Sequence, residues 1–151
     1  MANATEAERP TDTELKTNPE KMQKLFALQE GQRMTILTKV LAALTALEFL
    51  YIMYLETFAT ASERTSKVFG MERDELERKS VNTLFKNQGI YNGLLAVLIL
   101  LAAFLFVSKT AVMLLMGYIV LVALYGSITS NPRIILMQGG LAILTLISGL
   151  F

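Results

Sequence analysis

ILTKVLAALTALEFLYIMYLETF, residues 36–58, decides the fold. At a rise of about 1.5 Å per residue, this stretch is long enough as an α-helix to cross a hydrocarbon core of about 30 Å. Its charges are Lys39, Glu48 and Glu56. Lys39 lies within a turn of the start, where its stem can carry the ammonium out to the headgroups. Glu48 falls midway and cannot do so.

Three further apolar stretches follow: QGIYNGLLAVLILLAAFLFV (88–107), AVMLLMGYIVLVALYGSIT (111–129) and IILMQGGLAILTLISGLF (134–151). The turns between them are Ser108-Lys109-Thr110 and Ser130-Asn131-Pro132-Arg133, too short for anything but antiparallel neighbours. The expected architecture is therefore all-α: an integral membrane four-helix bundle with short antiparallel connections and a polar N-terminal extension. The two parts are 1–35 and 36–151. Between the first two spans, residues 59–87 form a polar loop expected to hold a short surface helix. Asp74 with Arg78 and Glu75 with Lys79 are i,i+4 pairs in the favourable acid-first order.

Composition agrees. The chain is 53% hydrophobic and 18% charged, with mean hydropathy +0.46, whereas a soluble domain carries about a quarter charged residues. The net charge of +1 and the absence of a basic face argue against nucleic-acid binding. With no Cys and no His, disulfides, thiol nucleophiles and histidine-ligated metals are excluded, and no metal or cofactor is expected. The opening MANATEAERPTDTELK lacks the basic and apolar regions of a cleavable signal, so it is expected to remain as a mobile tail. Asn18-Pro19-Glu20 reads as a helix start, Met22, Leu25 and Phe26 as one apolar face, and Gly31 as the end. That helix suits a membrane surface or another subunit.

Basic residues near the membrane give a preferred orientation. Lys21, Lys24, Arg33, Lys39 and Lys109 lie on one side; Arg64, Lys67, Arg73, Arg78, Lys79, Lys86 and Arg133 lie on the other. The excess places the long loop in the cytoplasm.

Polar residues inside the spans gather toward the long-loop side: Glu56, Gln88, Asn92, Tyr125, Arg133 and Gln138, with Tyr51 and Glu48 deeper. Glu48, Tyr51, Ile52 and Leu55 share a stripe, Gln88 and Asn92 share a face, and so do Tyr118 and Tyr125. These eight polar residues are expected to converge on one pocket, with Arg133 as a counter-charge for Glu56. The competing reading is packing: amides and tyrosines join helices by hydrogen bonds, and Gly89-Ile-Tyr-Asn-Gly93 permits close backbone approach. A carboxylate at the membrane centre costs about 2.5–3.5 kcal/mol on insertion scales, so Glu48 must be neutral, paired or in a wet cavity.

LEFLYIMYLETF (47–58), KVFG (67–70), NQGIYNGLLA (87–96), ALYGSIT (123–129) and RIILMQGGLAILTL (133–146) occur in this order. Together they resemble the small bacterial four-span membrane-protein family catalogued as domain of unknown function number thirteen-oh-four, over about residues 36–151. The resemblance implies a multi-pass protein of the bacterial cytoplasmic membrane and no known activity. It also implies a histidine where this chain has Phe49, so any activity that residue carries is not expected here.

Three functions remain. The first is a non-enzymatic module that binds or conducts a small polar or amphiphilic molecule. The second is a subunit or scaffold, in a homo-oligomer or with a partner, whose polar residues only hold helices together. The third is a membrane redox or lipid-modifying enzyme, for which the chain shows no nucleophile–base pair or metal spacing.

Overall fold

The computed structural model describes residues 19–24 and 33–151. The chain divides into two units, Met1–Arg33 and Met34–Phe151. In the first, residues 19–24 are helical and exposed. The expected tail over 1–18, the apolar positions Leu25 and Phe26 and the helix end at Gly31 lie outside the described residues.

Among the described residues the second unit is helical throughout, with no strand. Helix α1 (Ile36–Met53) begins where Thr35 Oγ1 accepts from Thr38 N at 3.1 Å. It continues as a π-turn over Tyr54–Phe58, closed by Ala59 N donating to Tyr54 O at 3.1 Å. Two short helices follow, α2 (Glu63–Phe69) and α3 (Arg73–Glu77), separated at Gly70, whose φ of 65° is the left-handed cap conformation glycine adopts freely. Helix α4 (Lys79–Leu100) ends in a second π-turn, Leu101–Leu105. Helix α5 (Lys109–Thr129) is capped by Ser108, whose Oγ accepts from Ala111 N at 3.2 Å. The chain then forms α6 (Ile134–Met137) and α7 (Gly140–Ser148).

Three helical stretches are long and apolar enough to cross a membrane: Ile36–Phe58, Lys79–Leu105 and Lys109–Thr129. The fourth expected span, 134–151, is instead broken by a turn at Gln138–Gly139. Its helical hydrogen bonds run to Gly139 N on Ile135 O (3.1 Å) and resume at Ile143 N on Gly139 O (2.8 Å). Paired glycines after Gln138 supply the freedom for that break.

The second stretch starts at Lys79 rather than Gln88. Val81, Leu84 and Phe85 continue the helical periodicity through the polar region, so the fall in hydropathy does not mark the helix end. The loop pairs also differ from expectation. Arg78 pairs with Glu75 at 3.0 Å and Arg73 with Glu77 at 3.8 Å. The backbone leaves the helix at Arg78 (ψ 127°), which separates Glu75 from Lys79.

Helix α1 packs chiefly against α4 and also against α7, while α5 packs against α6 and α7. Ala42, Ala46, Phe49, Ala96, Ile99 and Met116 belong to one shared core. At the α4–α5 turn end, Ser148 Oγ donates to Thr38 Oγ1 at 3.1 Å, joining α7 to α1 through buried hydroxyls. The α2–α3 loop is tied down at the other end. Thr65 Oγ1 donates to Ala59 O (2.7 Å) and Leu55 O (3.3 Å), and Phe69 meets Phe85 edge to face at 5.2 Å.

Candidate functional site

The expected polar residues divide between two cavities that share Gln138. The first, about 410 Å³, lies between α1, the α2–α3 loop and residues 130–138. Its α1 wall is Glu48, Tyr51, Ile52 and Leu55, the stripe that helical spacing places together. Phe69 and Phe85 close it from the loop and from α4. The second, about 480 Å³, opens between α4 and α5 and takes Glu56, Gln88, Asn92 and Gln138, with Tyr91 and Tyr118. Gln138 reaches both because it stands at the break between α6 and α7.

The two glutamates differ in their partners. Glu56 lies in the π-turn and is only 4% exposed. Asn92 Nδ2 donates to its Oε2 at 2.6 Å, a hydrogen bond to a group that can carry charge and so stronger than a neutral pair. The widened turn leaves backbone carbonyls without the usual i+4 donor, and hydroxyls take them up: Thr60 Oγ1 donates to Glu56 O at 2.6 Å. Glu48 is half-buried, and its buried Oε2 has no hydrogen-bond partner among the described residues. Arg64, one turn beyond the loop start, stands over the Tyr51 ring with its guanidinium carbon 5.3 Å from the centroid, a cation–π contact.

The single converging pocket is thus corrected to two, and two expected members belong to neither. Tyr125 is 71% exposed. It lies beyond Val122, the last α5 residue on the second cavity. Arg133 is exposed in the 130–133 turn, where its backbone N donates to Asn131 Oδ1 at 3.0 Å. Among the described residues no ion pair joins Arg133 to Glu56; Asn92 occupies that carboxylate instead. Gln88 is exposed yet borders the second cavity. Among the described residues no group of three or more acidic side chains comes together as a metal-ligand set.

Phe69, Phe85 and Asn131 were not singled out from sequence, although all three line the first cavity. The first two are apolar residues in a polar stretch, and the only signal was helical placement, Phe69 just before Gly70 and Phe85 in register with Val81. Nothing local marks Asn131 beyond its turn.

These features define a helical protein with three helices fit to span a membrane and two carboxylate-bearing cavities. The chain belongs to the family described as protein of unknown function (DUF1304), whose model matches residues 43–150. It is 63% identical over 119 residues to the uncharacterized protein YpaA of Lactococcus lactis subsp. lactis (strain IL1403), across 78% of this chain and all of that protein. What is corrected is the expectation of a four-span family over residues 36–151: the family model covers residues 43–150. The matching model's description states neither a span count nor a location, and three stretches here, not four, meet the length and hydropathy of a span. No solved structure matches the chain.

Proposed function

We propose that the chain is a multi-pass protein of a bacterial cytoplasmic membrane, and that its bundle is a non-enzymatic module binding a small polar or amphiphilic molecule beside Gln138. In this reading α1, α4 and α5 cross the bilayer, and the broken α6–α7 segment completes the bundle by running back along α5. Support for that course comes from Gly126 beside Ile134, Gly139 beside Ala123 and Gly149 beside Met113. The exposed Leu, Ile and Phe side chains along all four segments suit a lipid solvent.

The observation that carries the binding reading is the pair of cavities, each mostly apolar and each with a carboxylate on its wall. Such volumes suit small ligands, and a few placed polar groups in an apolar wall give orientation. A scaffold reading draws on the Asn92–Glu56 bond, which joins α4 to the end of α1 and would serve as helix glue alone.

Native mass spectrometry of the full chain extracted from its own membrane separates these. A bound small molecule, lost on narrowing the cavities by Val68→Trp or Leu115→Trp, is the expected result. Bare protein in every preparation would favour the scaffold. The membrane placement has its own test, since the chain has no cysteine. Ser80→Cys and Lys109→Cys should react with an impermeant reagent from opposite faces of sealed vesicles, and labelling of both from one face would overturn it.

A further inference from the structure

We infer that the first cavity takes a lipophilic organic cation, a protonated amine with an aromatic or alkyl tail, whose ammonium meets Glu48. This ligand class presupposes that the cavities bind at all, and it concerns only the first of them. The two carboxylates make the argument by contrast. Glu56 already accepts from Asn92. The buried Oε2 of Glu48 accepts from nothing among the described residues, although a carboxylate offers about four lone-pair sites. A buried acceptor left open is costly, so the site has an unmet demand for N–H donors.

The surroundings narrow what can meet that demand. Lys39 is on the same helix but nine residues away, on the opposite face. Arg64 lies over the Tyr51 ring, and no ion pair joins it to Glu48 among the described residues. The wall beyond the carboxylate is mostly apolar and aromatic, with Ile52, Leu55, Phe69 and Phe85, and its amide side chains, Asn131 and Gln138, make no hydrogen bond to Glu48 Oε2 among the described residues. An anion would meet Glu48 with like charge. A small hydrated cation would lose its water against hydrocarbon and aromatic walls. An amine with an apolar tail satisfies both halves, placing N–H donors on Oε2 and its tail among the rings.

The test uses the full chain in lipid nanodiscs and isothermal titration calorimetry, with empty nanodiscs subtracted. The probes are 4-phenylbutylamine, protonated at neutral pH, and 4-phenylbutan-1-ol, of nearly the same size and uncharged. The amine should bind saturably and at least tenfold more tightly than the alcohol. Glu48→Gln should remove that preference, and Val68→Trp should remove saturable binding of both. Equal affinity for the two probes, or a preference that survives Glu48→Gln, overturns the cation assignment while leaving a binding cavity in place. Absence of saturable binding by either probe also overturns it, and the native mass spectra then decide separately whether the cavities hold any ligand. Should Glu48→Gln not fold, the amine-to-alcohol ratio in the unaltered chain and its loss in Val68→Trp carry the decision.

Discussion

Helix α4 lies against α1 on one side and faces α5 across a cavity on another, and it treats the two differently. Toward α1 it presents Gly89, Gly93 and Ala96, all buried, and the backbones close until a side chain at Gly89 would overlap Thr57 Oγ1. Toward α5 it presents Leu94, Leu98 and Tyr91, and a cavity of about 480 Å³ opens there. Both faces are apolar. The difference is side-chain size, which sets how near two helices come. Cavity and seam are therefore consequences of one pattern, small residues at i, i+4, i+7 on one face and large ones on the other.

The largest effect should come from erasing that asymmetry. A Cβ at Gly89 would also lie 3.0 Å from Glu56 Cβ and 3.1 Å from Thr57 N, the latter backbone that cannot step aside. Gly89→Ala should cost about 1–3 kcal/mol, and Gly89→Leu should prevent a folded, monodisperse product. On the open side Leu94→Phe should change stability by less than about 0.5 kcal/mol. Thermal unfolding in detergent measures all three. Equal losses on both faces would break the comparison.

Next in size is the polar bond at the end of the seam. Asn92→Leu leaves Glu56 buried without its donor and should cost about 1–3 kcal/mol. Glu56→Gln should cost less, because its amide oxygen can still accept from Asn92. The double change Asn92→Leu with Glu56→Leu should recover most of the loss, since removing both partners removes the unmet group. A double variant no better than Asn92→Leu alone would show that the bond does more than satisfy Glu56.

The seam and the site were unevenly legible in the sequence. The span 36–58, the stripe Glu48–Tyr51–Ile52–Leu55 and the face Gln88–Asn92 are local periodicities, and the structure keeps each together. Which stripe faces which neighbour is not local. Glu56 and Glu48 border different cavities, and the register of the π-turn that carries Glu56 has no marker in YLETF. Arg133 matched Glu56 by charge and depth, but a turn residue can aim outward as easily as inward. The break at Gln138 was half visible: Gly139-Gly140 stands inside the stretch 134–151, yet hydropathy averages across it as one span.

That glycine pair offers a sharper, smaller test of close approach. A Cβ at Gly139 would lie 2.6 Å from Ile135 O and 3.2 Å from Ala123 Cβ, whereas nothing lies within 4 Å of one at Gly140. Gly139→Ala should lower stability by about 1–3 kcal/mol. Gly140→Ala, in the first turn of α7, should be neutral or raise it by about 0.4–1 kcal/mol through the unfolded chain. Denaturation curves with opposite or equal signs at the two positions decide whether the break is set by packing against α5 or by glycine flexibility alone.

The smallest effect is expected at the link that holds α5 off α4. Val107 has φ 47°, the only positive φ at a non-glycine among the described residues. Ser108 N reaches back to Ala102 O at 2.9 Å and Phe106 N to Leu101 O at 2.8 Å, so Val107 occupies the place where glycine usually closes a helix. A left-handed L-residue costs about 1–2 kcal/mol, and more is expected of a β-branched one. Val107→Gly relieves that cost but adds about 0.5–1 kcal/mol of backbone entropy to the unfolded chain. The side chain is half exposed, so little burial is lost. The balance predicts a gain of about 1 kcal/mol or less, read as a small rise in melting temperature. A clear fall would mean that Val107 braces the turn, and that the gap between α4 and α5 is held open by the link as well as by the size of the residues lining it.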